Sequence, residues 1–172
     1  MKKTSKINIL NDYISFLYVN DEVDEEERDL YNTLGHKFIN CIETTSMSKS
    51  YKIPILLAFY NDGNIKLRVS ADDIYKSFRE FYSIPSNAVD MLKDKSTANF
   101  IDWGKDEYIK LSRRNPEYYL AQTHSDFFYH KDEYFCLNDN LKHFMSNNAF
   151  IRHFKDVVEY RKIRYYKERI KR

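Results

Sequence analysis

Asp126-Phe127-Phe128-Tyr129-His130-Lys131-Asp132-Glu133-Tyr134-Phe135-Cys136-Leu137 is the stretch on which the reading of the chain turns. It holds two aromatic-rich strand candidates, Asp126–His130 and Tyr134–Leu137. Lys131-Asp132-Glu133 joins them, a fitting length for a hairpin loop. Upstream, Ile65, Leu67 and Val69 alternate with Lys66 and Arg68, the mark of a short half-buried strand. The spacing predicts that Ile65–Val69 and the two arms of the hairpin pair in one small antiparallel sheet.

Helices are expected around these strands. Pro54 suits the first turn of a helix carrying Ile53, Leu56, Leu57 and Tyr60. Asn61-Asp62-Gly63-Asn64 is a strong turn. Ser70 and Asp73 form a capping box ahead of the stripe Ile74, Phe78, Phe81 and Tyr82. Residues 86–104 read as an irregular insert with a short helix at Ala88–Leu92. Asp106–Arg114 can be helical, and Asn115-Pro116 reads as an N-cap and N1 proline that start a second short helix. The order over residues 51–138 is helix, strand, helix, helix, strand, loop, strand, which is that of a winged helix with an insert before its third helix.

Two flanking segments complete the organisation. Within residues 1–50, Ile7, Leu10, Ile14 and Leu17 mark one helical face, and Leu30, Leu34, Phe38 and Ile42 mark another at i+4 spacing. They predict a helical hairpin, with the acidic run Asp21–Asp29 at the positive end of its second helix. Thr44–Ser50, rich in hydroxyls, is the best internal boundary. Residues 139–172 read as a short helix capped by Asn138 or Asp139, then a long one from about Asn148 towards Arg172. The fold class is therefore mostly α (α+β).

With 172 residues, a chain this size is about one domain and needs no disulfide to fold. Its 15 Tyr and 12 Phe exclude a wholly disordered chain, and 3 Gly and 3 Pro exclude a collagen-like one. The longest apolar run, Ile53–Tyr60, is far short of a membrane span. The basic start Met1-Lys2-Lys3 leads into no apolar region of a signal peptide. Cys41 and Cys136 have no ligand-like spacing and read as reduced thiols of a cytoplasmic protein. Charge is uneven although the net is only +2: residues 1–50 carry 6 basic and 9 acidic groups, residues 155–172 carry 8 and 3. This asymmetry suggests a basic face for a polyanion.

The chain also resembles a family. Tyr51–Phe59, Ser70–Tyr82, Asn115-Pro116, the hairpin Phe127–Leu137 and Asp156–Arg161 are similar to the C-terminal winged-helix-like module of bacterial DEAD/DEAH-box helicases of restriction and phage-defence type. The likeness covers about two-thirds of the chain. It implies a nucleic-acid-binding accessory role beside a helicase or nuclease. The motor is absent, since there is no Gly-x-x-x-x-Gly-Lys-Ser/Thr loop and no Asp-Glu-Ala-His-type box.

Candidate chemistry points the same way. Glu107 with Lys110, and Asp132-Glu133, fit no Asp…Glu-x-Lys nuclease arrangement, so no catalytic residue is assigned. His124, Asp126, His130 and Cys136 lack the paired short spacings of a zinc site, and Ser125 between His124 and Asp126 is no triad. No metal or cofactor is expected. The nucleic-acid reading rests on Lys105, Lys110, Arg113 and Arg114 on or beside the helix before the hairpin, and on Lys131 at the wing tip. It adds a tail in which Arg161, Lys162, Arg164, Lys167 and Arg169 interleave with Tyr165 and Tyr166. The apolar face of the last helix ends near Val158, which predicts that its second half leaves the core. DNA is the favoured partner, and no membrane is. The competing reading is a protein-interaction module, a homodimer included, that uses the N-terminal hairpin and the aromatic surface.

Overall fold

The computed structural model describes residues 7–170. Its helices are α1 (Tyr13–Val19), α2 (Glu25–Leu30), α3 (Leu34–Thr44), α4 (Lys52–Phe59), α5 (Ala71–Tyr82), α6 (Val89–Lys93), α7 (Lys105–Ser112), α8 (Tyr118–Thr123) and α9 (Asn148–Ile170). Its strands are β1 (Tyr60–Asn61), β2 (Asn64–Ile65), β3 (Arg68–Val69), β4 (Phe128–Lys131) and β5 (Tyr134–Leu137). The chain is thus mostly helical, with a winged-helix-like centre, an N-terminal helical hairpin and a long C-terminal helix.

The decisive hairpin forms, with its first strand shifted from Asp126–His130 to Phe128–Lys131 and its loop shortened to Asp132-Glu133. β4 and β5 pair antiparallel with Lys131 opposite Tyr134, and Asp132 takes the left-handed conformation (φ 53°) that the tight turn requires. β3 pairs with β5, Arg68 opposite Cys136 and Val69 opposite Phe135, so the sheet order is β3-β5-β4. The expected strand Ile65–Val69 is divided, however. Ile65 pairs back with Tyr60 across the turn at Asp62-Gly63, both of which have positive φ, and only Arg68-Val69 reaches the sheet.

Local chemistry sets the other boundaries. Ser70 accepts from the Asp73 backbone N–H while the Asp73 carboxylate accepts from the Ser70 N–H, closing the expected capping box on α5. Two expectations in the N-terminal part fail. The first helix starts at Tyr13, not near Ile7, because Asp12 caps it by accepting from Ser15 N–H, after a turn at Asn8–Asn11. The i+4 stripe from Leu30 to Ile42 is no single helix either. Asn32 turns left-handed (φ 60°) and Thr33 caps a new helix there.

The break expected at Asn115-Pro116 is also absent. Helix continues from Lys105 to Thr123 through a π turn at Arg113–Glu117 with Pro116 inside it. Proline has no N–H and its ring clashes with the carbonyl four residues back. Widening one turn removes that clash without ending the helix.

The acidic run serves two helix ends. Asp24 caps α2 with Glu27 reciprocating, and the Glu26 carboxylate accepts from Ala149 N–H at the start of α9. Glu27, itself buried, meets His153 at 2.7 Å and Arg152 at 2.9 Å. One buried cluster runs through all three segments, with Phe38 of α3 at its hub. Its ring lies 5.5–6.0 Å from those of Phe127 and Phe128 of the hairpin and Phe150 and Phe154 of α9. Among the described residues, no helix is long and apolar enough to cross a membrane.

Candidate nucleic-acid interface

The continuous helix α7–α8 presents two unlike faces. Tyr108, Ile109, Leu111, Ser112, Pro116, Glu117 and Leu120 point inward and are buried. Tyr108 packs on Phe78 and Tyr75 of α5, ring centroids 6.4 and 5.9 Å apart. Lys110, Arg113, Arg114, Tyr118, Tyr119 and Gln122 are exposed. The π turn adds a residue to one turn, which lets Arg113 and Arg114 stay outside while Pro116 and Glu117 stay inside.

A bond between buried Glu117 and exposed His130 ties this helix to the wing. Glu117 Oε2 lies 2.8 Å from His130 Nε2 on β4, and the His130 ring rests on Phe135 of β5 at 4.9 Å. Lys131 and Tyr134 stand exposed at the hairpin tip. No ion pair among the described residues occupies Lys110, Arg113, Arg114 or Lys131. An exposed, unpaired cation can exchange its counterion atmosphere for a phosphate without first breaking a protein contact. Lys105 differs, because its ammonium is 2.7 Å from Asp72 at the start of α5.

The structure leaves Lys110, Arg113 and Arg114 exposed on α7–α8 and Lys131 exposed at the hairpin tip, but gives much of the tail other work. α9 does not leave the core after Val158. Arg161 donates to the carbonyls of Glu43 (2.7 Å) and Thr45, the C-terminal end of α3. Tyr165 is only 4% exposed and donates to the buried Asp90 carboxylate. Arg169 stacks on the Tyr165 ring at 3.6 Å and donates to Ser48 O at 2.6 Å. Tyr166 donates to Asn87 O at 2.7 Å. The aromatic platform expected at Tyr165 is therefore a buried strut. Lys162 and Arg164 are held by Glu159 and Glu168, and only Lys167 of the tail residues stands exposed without an ion pair among those described. The end of the predicted helical face, Arg172, lies outside the described residues.

Electrostatics agree with this division. Burial lowers the pKa of Arg161, with Arg164 beside it adding to the effect. The hydrogen bond to Glu168 raises that of Arg164. Burial pushes the Cys41 thiol up to about 12, so it is no nucleophile. Cys136 lies on the sheet face opposite His130, since their cross-strand partners are Tyr129 and Phe135. Those two cannot share a metal ion. Glu107 accepts from Gly104 N–H as a helix cap. Among the described residues, no three His, Cys, Asp or Glu side chains are arranged to hold a metal ion.

Tyr118 and Tyr119, 51% and 49% exposed, were not expected in the site. Their signal was present, two tyrosines within a few residues of Arg113-Arg114. The helix break read into Asn115-Pro116 placed them on a different element from those arginines. Comparison with protein-family models, curated proteins and solved structures finds no match.

Proposed function

We propose that this chain binds nucleic acid, DNA foremost, without catalysing a reaction, as an accessory module of a helicase or of a restriction or phage-defence system in the cytoplasm. One observation carries the reading: Lys110, Arg113 and Arg114 stand free of ion pairs, among the described residues, on the exposed face of the helix that precedes the wing. Tyr118 and Tyr119 flank them, and Lys131 extends the positive surface at the hairpin tip. In a winged helix that face enters the groove. The arginines would hold phosphates, which position the protein without reading sequence. The cytoplasmic assignment is supported by two unpaired cysteines, Cys41 and Cys136.

Fluorescence anisotropy with labelled duplex DNA at several salt concentrations tests the proposal. Each lost phosphate contact should lower the slope of log affinity against log salt by about 0.9. R113A/R114A should weaken binding on every sequence alike and flatten the slope by roughly two such steps. Intact oligonucleotides after incubation with magnesium or manganese are expected as well. The competing reading, a homodimer or protein-docking module, draws on exposed Ile84 and Ile163, which border neighbouring grooves that share Asn87 and Lys162. Unchanged affinity in R113A/R114A, together with a concentration-dependent dimer in sedimentation, would put that reading in front.

A further inference from the structure

On the side of the molecule built from the N-terminal turn, α1, α3 and α9 lies a cavity of about 250 Å³. Ile9, Leu10, Ile39 and Val157 give it apolar walls, and Tyr13 and Tyr160 add two aromatic rings. Glu43 forms part of the wall and is 6% exposed. Its carboxylate accepts from Tyr13 N–H at 3.2 Å and from the Asn40 amide at 3.3 Å. No Lys, Arg or His forms an ion pair with it among the described residues. His36, near enough to act on the carboxylate, is engaged by Asp12 at 2.8 Å, and Arg161 donates to the Glu43 backbone carbonyl and not to its carboxylate. His153, also in the wall, is engaged by Glu27. Asp156 adds a second carboxylate at the exposed side, and no lysine or arginine among the described residues lines the space.

A buried carboxylate without a cation is costly, and proteins normally pair such a group or leave it neutral. Among the described residues no cation pairs with Glu43, and an apolar space of defined size opens beside it. We infer that this cavity is a binding site for a small organic cation, an ammonium group carried on an apolar or aromatic body, with Glu43 as its counter-ion. The ammonium would donate to Glu43 while Tyr13 and Tyr160 offer ring faces to the positive charge. The body would fill the space between Ile9, Leu10, Ile39 and Val157. An apolar cavity of about 150 Å³ holds benzene. The larger volume here fits a phenyl ring with a short aminoalkyl chain.

The test uses three probes of one shape, 2-phenylethylammonium, 2-phenylethanol and phenylacetate, titrated into the full chain and followed by amide chemical shifts. The ammonium should saturate, with shifts centred on Tyr13, Ile39, Glu43 and Val157. It should bind about tenfold or more tightly than the alcohol, since a charge-assisted hydrogen bond outweighs a neutral one. The carboxylate should not bind. E43Q keeps the shape and removes the charge, so it should erase the preference for the ammonium over the alcohol. V157F, which fills the space, should abolish binding of both with its fold checked by thermal melt. Absence of saturable binding at roughly millimolar ammonium, equal binding of all three probes, or an undiminished preference in E43Q would each overturn the assignment. If E43Q fails to fold, the ranking of the three probes on the unaltered chain decides. None of these readouts depends on nucleic acid.

Discussion

Glu43 and Arg161 show how single residues in this chain are committed by burial. Burial raises the pKa of the Glu43 carboxyl, more than the bonds from Tyr13 and Asn40 lower it. Its folded-state value thus lies above its unfolded one. Above the folded value the charge costs stability, and below the unfolded value that cost vanishes. Glu43→Gln should therefore raise the melting temperature at neutral pH. The difference from the unaltered protein should shrink towards pH 4, and equal melting temperatures at pH 7 would refute it. Arg161 is penalised by burial too, which lowers its pKa, but its hydrogen bonds satisfy backbone groups that would otherwise lack partners. Its guanidinium ends α3 by capping the carbonyls of Glu43 and Thr45. Hydrogen bonds to charged groups contribute about 1.5–3 kcal/mol, so Arg161→Ala should destabilise by roughly 2 kcal/mol in urea denaturation. It should leave the salt slope of DNA binding unchanged, whereas a slope lowered as in R113A/R114A would return Arg161 to the interface.

At the scale of elements, periodicity and turn chemistry made the sheet, the capping box of α5 and the hairpin legible. The capping box and the hairpin depend on residues within a few positions of one another, and the alternation around Arg68-Val69 marks the third strand locally although its partner β5 is distant. What was not legible depended on distant partners. The Arg and Tyr spacing of the tail is the same whether those side chains meet solvent or, as here, the carbonyls of Thr45 and Ser48 and the Asp90 carboxylate. Only the packing of α9 against the Thr44–Ser50 linker and the insert decides. The π turn was hidden for a related reason, because Asn-Pro is equally a cap signal and a widened turn. The inner face of α7–α8, continuous from Tyr108 to Leu120, selects the second. One consequence reverses the expectation that the second half of the last helix leaves the core. Truncation after Tyr160 removes Arg161, Tyr165, Tyr166 and Arg169 together. It should lower the melting temperature by several degrees or more, as a loss of a few kcal/mol in a chain this long implies. Circular dichroism melts of the truncated chain measure this, and an unchanged melt would show the second half of α9 to be undocked.

For the whole molecule, the N-terminal hairpin and α9 hold together through carboxylates that work only when ionised. Backbone N–H bonding from Glu27 holds the Asp24 carboxyl below its usual value, helped by Arg152. Burial acts to raise Glu27, but bonds from Asp24 N–H, His153 and Arg152 outweigh it and leave the value lowered. Asp12 follows the same pattern, burial being overcome by His36 and Ser15. For all three the folded-state value lies below the unfolded one, so the unfolded chain binds more protons as pH falls. Their stabilisation is fully present above the ordinary carboxylate range near pH 4 and is lost as pH drops through the depressed values. The relief at Glu43 has the opposite sign. Stability should therefore be level from about pH 7 to pH 5 as far as these carboxylates govern it, then fall steeply below about pH 4. Urea midpoints across that range measure it. E27Q should start lower at pH 7, because it removes the charged partner of buried His153 and one of the two carboxylates that hold Arg152, and its decline below pH 4 should be shallower than that of the unaltered chain. Parallel declines in the two proteins would mean that Glu27 is not where the acid sensitivity resides.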